Sequence, residues 1–244
     1  MKRILTLVVV FALLFAGGPQ AALVDRGGGL IYDTVLNVTW LQDANYAETT
    51  RYDADGAMRW TQAKLWAETL VYNDSVRGVT WTDWRLPKTL PVNGESYNYS
   101  FTNIGATDVG NRISAPGSAY PGSIGSEMAY MYYTNLGNTA YQDISGEMPS
   151  PSWVFSNTGP FNYLQADVYW SETGYGNTAA NAWCFDFYFG YQGDLVKEAV
   201  YGYAWAVRDG DVGAAPVPIP GAVWLLGSGF LGLIGLKSIR RNFA

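Results

Sequence analysis

Trp183-Cys184-Phe185-Asp186-Phe187-Tyr188-Phe189 alternates aromatic rings with a more mixed set of side chains. A strand turns successive side chains to opposite faces, so this spacing puts Trp183, Phe185, Phe187 and Phe189 on one side and Cys184, Asp186 and Tyr188 on the other. Rings gathered on one face mark a strand packed on a core, and residues 190–193 follow as a tight connection. Further strands are expected at 168–171 and 201–208. Near the start of the chain, 30–32 and 38–41 form a hairpin around a turn at 33–37. Residues 58–72 carry Ala63, Trp66, Ala67 and Leu70 at i, i+3, i+4 and i+7, which predicts an amphipathic helix with Thr61 as its N-cap. Strand and helix patterns together predict an α+β fold. Its parts are one main amphipathic helix, a small twisted antiparallel sheet and long loops.

The loops are expected between 87 and 152, where Gly, Ser, Asn, Pro and Tyr accumulate with no sustained period. Two Tyr-rich pieces lie there, 97–101 and 130–133. They are either strands or a loop-borne aromatic surface, and both readings stand at this point. Tyr97, Tyr99, Tyr130 and Tyr132 are therefore the candidate ligand-binding residues, because Tyr rings stack on apolar faces while their hydroxyls hydrogen-bond.

Chemistry is narrowed by what the chain lacks. It has no histidine, which removes the Ser/His/Asp triad, His-liganded zinc and an imidazole general base. Cys184 is the only cysteine. No intramolecular disulfide can form, and its strand position with no basic neighbour suits a small packed side chain rather than a nucleophile. Asp and Glu are scattered, so a glycosidase pair has no local signature. Asp53-Ala54-Asp55-Gly56 supplies alternate oxygens and a glycine turn, the opening of a calcium loop, but an acidic turn before a helix accounts for the same residues. No other cofactor is expected, and the chain reads as non-enzymatic.

The two ends read as targeting segments. Lys2 and Arg3 precede an apolar run from 4 to 15, and small residues follow up to Ala22, the pattern of a secretory signal peptide over 1–22. Val217-Pro218-Ile219-Pro220 stands before an uncharged run, 221–236, with Lys237, Arg240 and Arg241 behind it. That run rises about 24 Å as a helix against a hydrocarbon core of roughly 30 Å, so a transmembrane helix over about 221–239 spans with little to spare. The basic tail stays cytoplasmic and the body, 23–213, lies outside. Without Lys2, Arg3, Lys237, Arg240 and Arg241, 10 of the 15 basic residues remain against 21 acidic ones, a net of −11. Such a charge disfavours nucleic acid as a partner. About 190 residues between the tags suit one domain.

Two resemblances rest on these residues. The segment from Val217 through Gly221-Ala222-Val223-Trp224-Leu225-Leu226-Gly227-Ser228-Gly229 to the basic end, spanning 214–244 with its linker, resembles PEP-CTERM sorting signals of Gram-negative bacteria, with Ile219 where Glu would stand. That resemblance implies export by the Sec translocon, a transient stay in the inner membrane, processing by an exosortase, and delivery to the cell surface, the outer membrane or an exopolysaccharide matrix. The body resembles the Lcl C-terminal-like family of unknown function in Met58-Arg59-Trp60-Thr61-Gln62-Ala63, Asp83-Trp84-Arg85-Leu86-Pro87, Gly159-Pro160-Phe161, Tyr169-Trp170-Ser171 and Ala204-Trp205-Ala206-Val207-Arg208. It implies a C-type-lectin-like fold, shared more distantly with formylglycine-generating enzymes, whose activity does not carry over to a chain with one cysteine. Ala206 stands where many members have a cysteine. Trp84, Arg85, Leu86 and Pro87 are expected to be structural: two core side chains, an arginine paired with a carboxylate, and a proline stop. The functional expectation is a surface or matrix protein that binds glycan; its rivals are a purely structural matrix protein and a carboxylate-dependent glycan-active enzyme.

Overall fold

The computed structural model describes residues 23–150 and 157–213. The segments read above as a signal peptide (1–22), as a sorting motif at Val217, Pro218, Ile219 and Pro220, as a transmembrane helix over about 221–239 and as a basic stop at Lys237, Arg240 and Arg241 all lie outside the described residues. In chain order the elements are β1 (Leu23–Asp25), β2 (Leu30–Asp33), β3 (Val38–Leu41), α1 (Tyr46–Thr49), β4 (Ala57–Met58), α2 (Trp60–Thr69), β5 (Tyr72–Asp74), β6 (Val79–Trp81), β7 (Phe101–Thr102) and β8 (Val109–Asn111). They continue with α3 (Glu127–Tyr130), a π-helical turn (Met131–Asn135), β9 (Val168–Gly174), β10 (Asn181–Asp186), β11 (Tyr191–Val196), β12 (Gly202–Tyr203) and β13 (Val207–Asp209). This is a mixed α and β structure, mostly sheet with few helices. Among the described residues no helix is long and apolar enough to cross a membrane.

The sheet is larger than the small antiparallel one expected. Seven strands run in the order β4-β12-β9-β10-β11-β8-β7, with parallel pairings at β12–β9 and β7–β8. A second sheet runs β1-β2-β3-β13, and β5–β6 is a separate hairpin. Both principal sheets bury both faces. In the β2–β3 hairpin Leu30 pairs with Leu41 and Ile31 with Trp40. Leu30 and Leu41 enter a core with the α2 residues Ala63, Trp66 and Ala67, whereas Ile31 and Trp40 enter another with Phe185, Phe187 and Trp205. β10 divides likewise, Ala182 and Cys184 going to the α2 side. The period-two pattern decided this geometry.

The aromatic alternation stops as a strand at Asp186. Its Oδ1 accepts hydrogen bonds from the backbone N–H of Tyr188 at 2.9 Å and Phe189 at 3.1 Å, and Gly190 follows at φ +67°. The polar residue that the alternation assigned to a face instead nucleates a turn, moving the tight connection to 187–190. Trp183, Phe185 and Phe187 are buried; Phe189, expected beside them, is 42% exposed. The strand expected over 201–208 is also split. Ala204, Trp205 and Ala206 are wholly buried between β12 in one sheet and β13 in the other, and Trp205 donates from Nε1 to the Leu41 carbonyl at 2.8 Å. The small Ala residues let the chain change sheets while Trp205 fills the core.

α2 buries the stripe that its spacing predicted, with Leu70 half-buried at its end. Its start lies earlier than expected. Arg59 is the N-cap residue, its N–H reaching Gln62 Oε1 at 3.4 Å, while the Thr61 hydroxyl hydrogen-bonds Glu198. One further tie joins the ends of the described fold. The Arg77 guanidinium pairs with Asp74 at 2.7 Å and donates to the Gly213 carbonyl at 2.7 Å and to the Arg26 carbonyl.

Candidate functional site

Trp84-Arg85-Leu86-Pro87 is built into the frame. Trp84 and Leu86 are buried in the α2-side core. The Arg85 backbone bridges Val207, and its guanidinium grips Glu127 through two hydrogen bonds of 2.8 and 2.7 Å while also reaching Asp209. Burial opposes the charge on Arg85, but Glu127 and Asp209 outweigh it and raise its pKa. Pro87 does not end a regular strand; its carbonyl accepts from the Glu172 N–H at 2.8 Å and from the Ser171 hydroxyl at 2.9 Å, tying this segment to β9.

The candidate calcium residues serve the backbone. Asp53 Oδ1 accepts from the N–H groups of Asp55 and Gly56, and Asp55 Oδ1 accepts from Ala57. Gly56 sits at φ +82°, and a Cβ there would lie 1.8 Å from Asn45 Oδ1. Among the described residues no three Asp, Glu, Cys or His side chains gather as a metal group.

The four tyrosines separate. Tyr130 and Tyr132, at 3% and 0% exposure, are core residues of α3 and the π-helical turn, which excludes them from a loop surface. Ser126 caps this helix, its Oγ accepting from the Ala129 N–H at 3.2 Å, and Tyr132 packs on Phe185 with ring centroids 5.3 Å apart. Tyr97 and Tyr99 do lie on a loop, half-buried. Their rings stack on Trp183 at 5.5 and 6.0 Å, with Tyr175 edge-on at 4.7 Å. Asp108 fixes that loop, accepting from the N–H groups of Val92 and Asn98 at 2.6 Å each; burial pushes its carboxyl above the usual value. These two rings are wedges between loop and sheet.

A different set of rings surrounds a cleft of about 230 Å³ at the edge of the seven-stranded sheet. Phe101 of β7 and Tyr191 of β11 stand 6.3 Å apart, and Tyr141 meets Phe189 edge-on at 5.1 Å. The loop after Tyr141 is anchored on the β10–β11 turn, because the Tyr141 N–H donates to the Phe189 carbonyl at 2.9 Å. Two amides lie among the rings. Asn111 Nδ2 donates to Asn103 Oδ1 at 3.0 Å and to Gln142 Oε1 at 3.2 Å, and Gln142 Nε2 donates to the Gly146 carbonyl at 3.0 Å. Rings with fixed amides between them can stack on a flat ligand and hydrogen-bond its edge. Of the residues foreseen as aromatic surface, only the stretch ending at Phe101 touches this cleft.

A larger open hollow of about 850 Å³ lies between residues 90–95 and 119–125. Among the described residues its aromatic lining is Tyr120 alone, and two of its polar side chains serve the loops themselves: Ser123 Oγ donates to the Val92 carbonyl, and Asn93 Oδ1 accepts from the N–H groups of Glu95 and Ser96. The smaller cleft has the richer chemistry. Cys184 is buried, and burial with Asp194 and Asp186 nearby raises its thiol pKa, the reverse of what a nucleophile needs.

No known protein family, curated protein or solved structure matches the chain.

Proposed function

We propose that this is an exported surface or matrix protein whose body is a non-enzymatic, C-type-lectin-like glycan-binding module, working through the cleft at Phe101, Tyr141, Phe189 and Tyr191. The observation that carries the reading is the meeting of these rings with the Asn111 and Gln142 amides at one sheet edge. The absence of histidine and the inert surroundings of Cys184 support binding rather than turnover. The export half of the proposal rests on the sequence of the two ends. Its partners are the Sec translocon and an exosortase in transit, with a brief residence in the inner membrane, and exopolysaccharide at the destination.

Two measurements test the halves separately. On a glycan array, purified protein should bind, and Phe189→Ala with Tyr191→Ala should abolish the signal without unfolding the chain; a signal that outlives both changes removes the cleft from the function. Intact mass after cell fractionation should show loss of both ends and release from the inner membrane when an exosortase is present. A full-length C-terminus held in that membrane would instead make the protein a periplasm-facing anchor.

A further inference from the structure

Charge around the cleft narrows its ligand further, on the premise that the cleft binds glycan. Among the described residues neither lysine nor arginine lines it. The ionisable groups carried by the segments that form its walls are acids. Asp186 caps the turn that presents Phe189. Asp143 follows Gln142 and holds its loop by accepting from the Ser145 and Glu147 N–H groups at 2.8 and 2.9 Å. Glu147 is exposed beside Met148, itself a lining residue. The one cation next in sequence, Arg112 after Asn111, lines a separate hollow with Ala115, Pro116 and Tyr133, its backbone at φ +64°.

The hydrogen-bonding groups point the same way. An amide carries donors and an acceptor without net charge, which matches a hydroxyl that both donates and accepts. Asn111 spends both Nδ2 hydrogens within the network, whereas Gln142 Nε2 spends one on Gly146, leaving a donor for a ligand. The volume of about 230 Å³ falls below the roughly 300 to 1,000 Å³ typical of drug-sized ligands, so it suits a single small ring. A carboxylate or sulfate on that ring would enter between segments that carry Asp143, Glu147 and Asp186 and, among the described residues, would meet no lining cation, and like charges brought nearer oppose binding.

We infer that the cleft accepts a neutral hexose unit of a polysaccharide and rejects uronic or sulfated sugars. Selection comes from stacking on the exposed Phe101 and Phe189 rings and from amide hydrogen bonds, with the acids carried by the neighbouring segments disfavouring anions.

Affinity electrophoresis of the full chain through gels containing dextran, galactomannan or polygalacturonate tests this. At low salt, a neutral polymer should retard the protein at least about tenfold more strongly than polygalacturonate, and Phe189→Ala should remove that retardation. Glu147→Lys should narrow the gap by strengthening the polygalacturonate interaction, and added salt should narrow it in the unsubstituted protein. Phe189-dependent retardation by polygalacturonate equal to or greater than that by the neutral polymers overturns the inference while leaving glycan binding in place. Retardation indifferent to Phe189→Ala overturns the cleft itself. Retardation by none of the polymers, with an empty glycan array, ends both readings.

Discussion

Two groups of aromatic rings in this chain have similar spacing and opposite circumstances. Around Trp205, the rings of Trp40 and Phe161 lie 4.5 and 4.7 Å away, and all three are buried. Around Phe189, the rings of Tyr188 and Tyr141 lie 4.8 and 5.1 Å away, yet Phe189 remains substantially exposed. Ring-to-ring distance therefore does not distinguish a core from a site. What differs is the other side of the ring: in the core it meets more protein, whereas at the rim it meets solvent and neighbouring amides. Exposure forfeits apolar transfer energy and leaves that energy for a ligand to recover.

The comparison is broken most forcefully from the inside. Trp205→Ala should cost about 3 to 5 kcal/mol in urea unfolding, since the void adjoins both sheets and the Leu41 carbonyl loses its donor. Arg85→Ala follows at about 3 kcal/mol by the same measurement, because it strands the largely buried Glu127 carboxylate. Should Arg85→Ala prove neutral, the charge cluster would not belong to the frame.

Acidity sharpens the contrast between buried and exposed groups. Burial raises the carboxyl pKa values of Asp33, Asp108 and Asp186 above the ordinary 3.8. Their stabilising contribution is full below that value and is lost as pH rises through each folded pKa. Asp83 and Asp209 are held below 3.8 chiefly by hydrogen bonds from Arg208 and Arg85; Asp74 is lowered too, although burial opposes the effect of Arg77 and Trp81. These three contribute above 3.8 and lose that contribution as pH falls through their folded values. The melting temperature should therefore peak at about pH 4 and decline on both sides. Asp108→Asn should flatten the decline toward neutrality; a melting temperature that climbs steadily to pH 7 contradicts the scheme.

The smallest stability effect belongs to the rim. Phe189→Ala should change unfolding free energy by no more than about 0.5 kcal/mol, while abolishing the proposed polysaccharide binding. A large loss of stability there would make Phe189 a core residue in energetic terms and erase the comparison.

Sequence revealed elements whose pattern is local. The β2–β3 hairpin and the buried stripe of α2 follow from alternation and helical spacing, and the burial of Trp84 and Leu86 agrees with the structural reading of their motif. The end of β10 was hidden because Asp186 suits a strand face and a turn cap equally, and its choice depends on the β10–β11 hairpin. Tyr130 and Tyr132 were obscured because α3 is too short for a period to emerge, even though Ser126 offers a cap. The cleft was the least visible feature. Its walls come from Phe101, Asn111, the Tyr141-Gln142 pair and the 189–191 stretch, and only the topology of the seven-stranded sheet brings them together.

Arg77 gives the molecule a mechanical character. A pull on the backbone at Gly213 meets a guanidinium that also holds Arg26, beside the two-pronged Arg26–Asp211 contact. Load entering there is shared with the start of the fold and with the β5–β6 hairpin through Asp74, rather than passing first to the short β13 ladder. The described fold is gripped at both its ends by one hand, so traction on either of them is resisted at a common point, and Arg77→Ala should lower the force at which the stretched fold first yields.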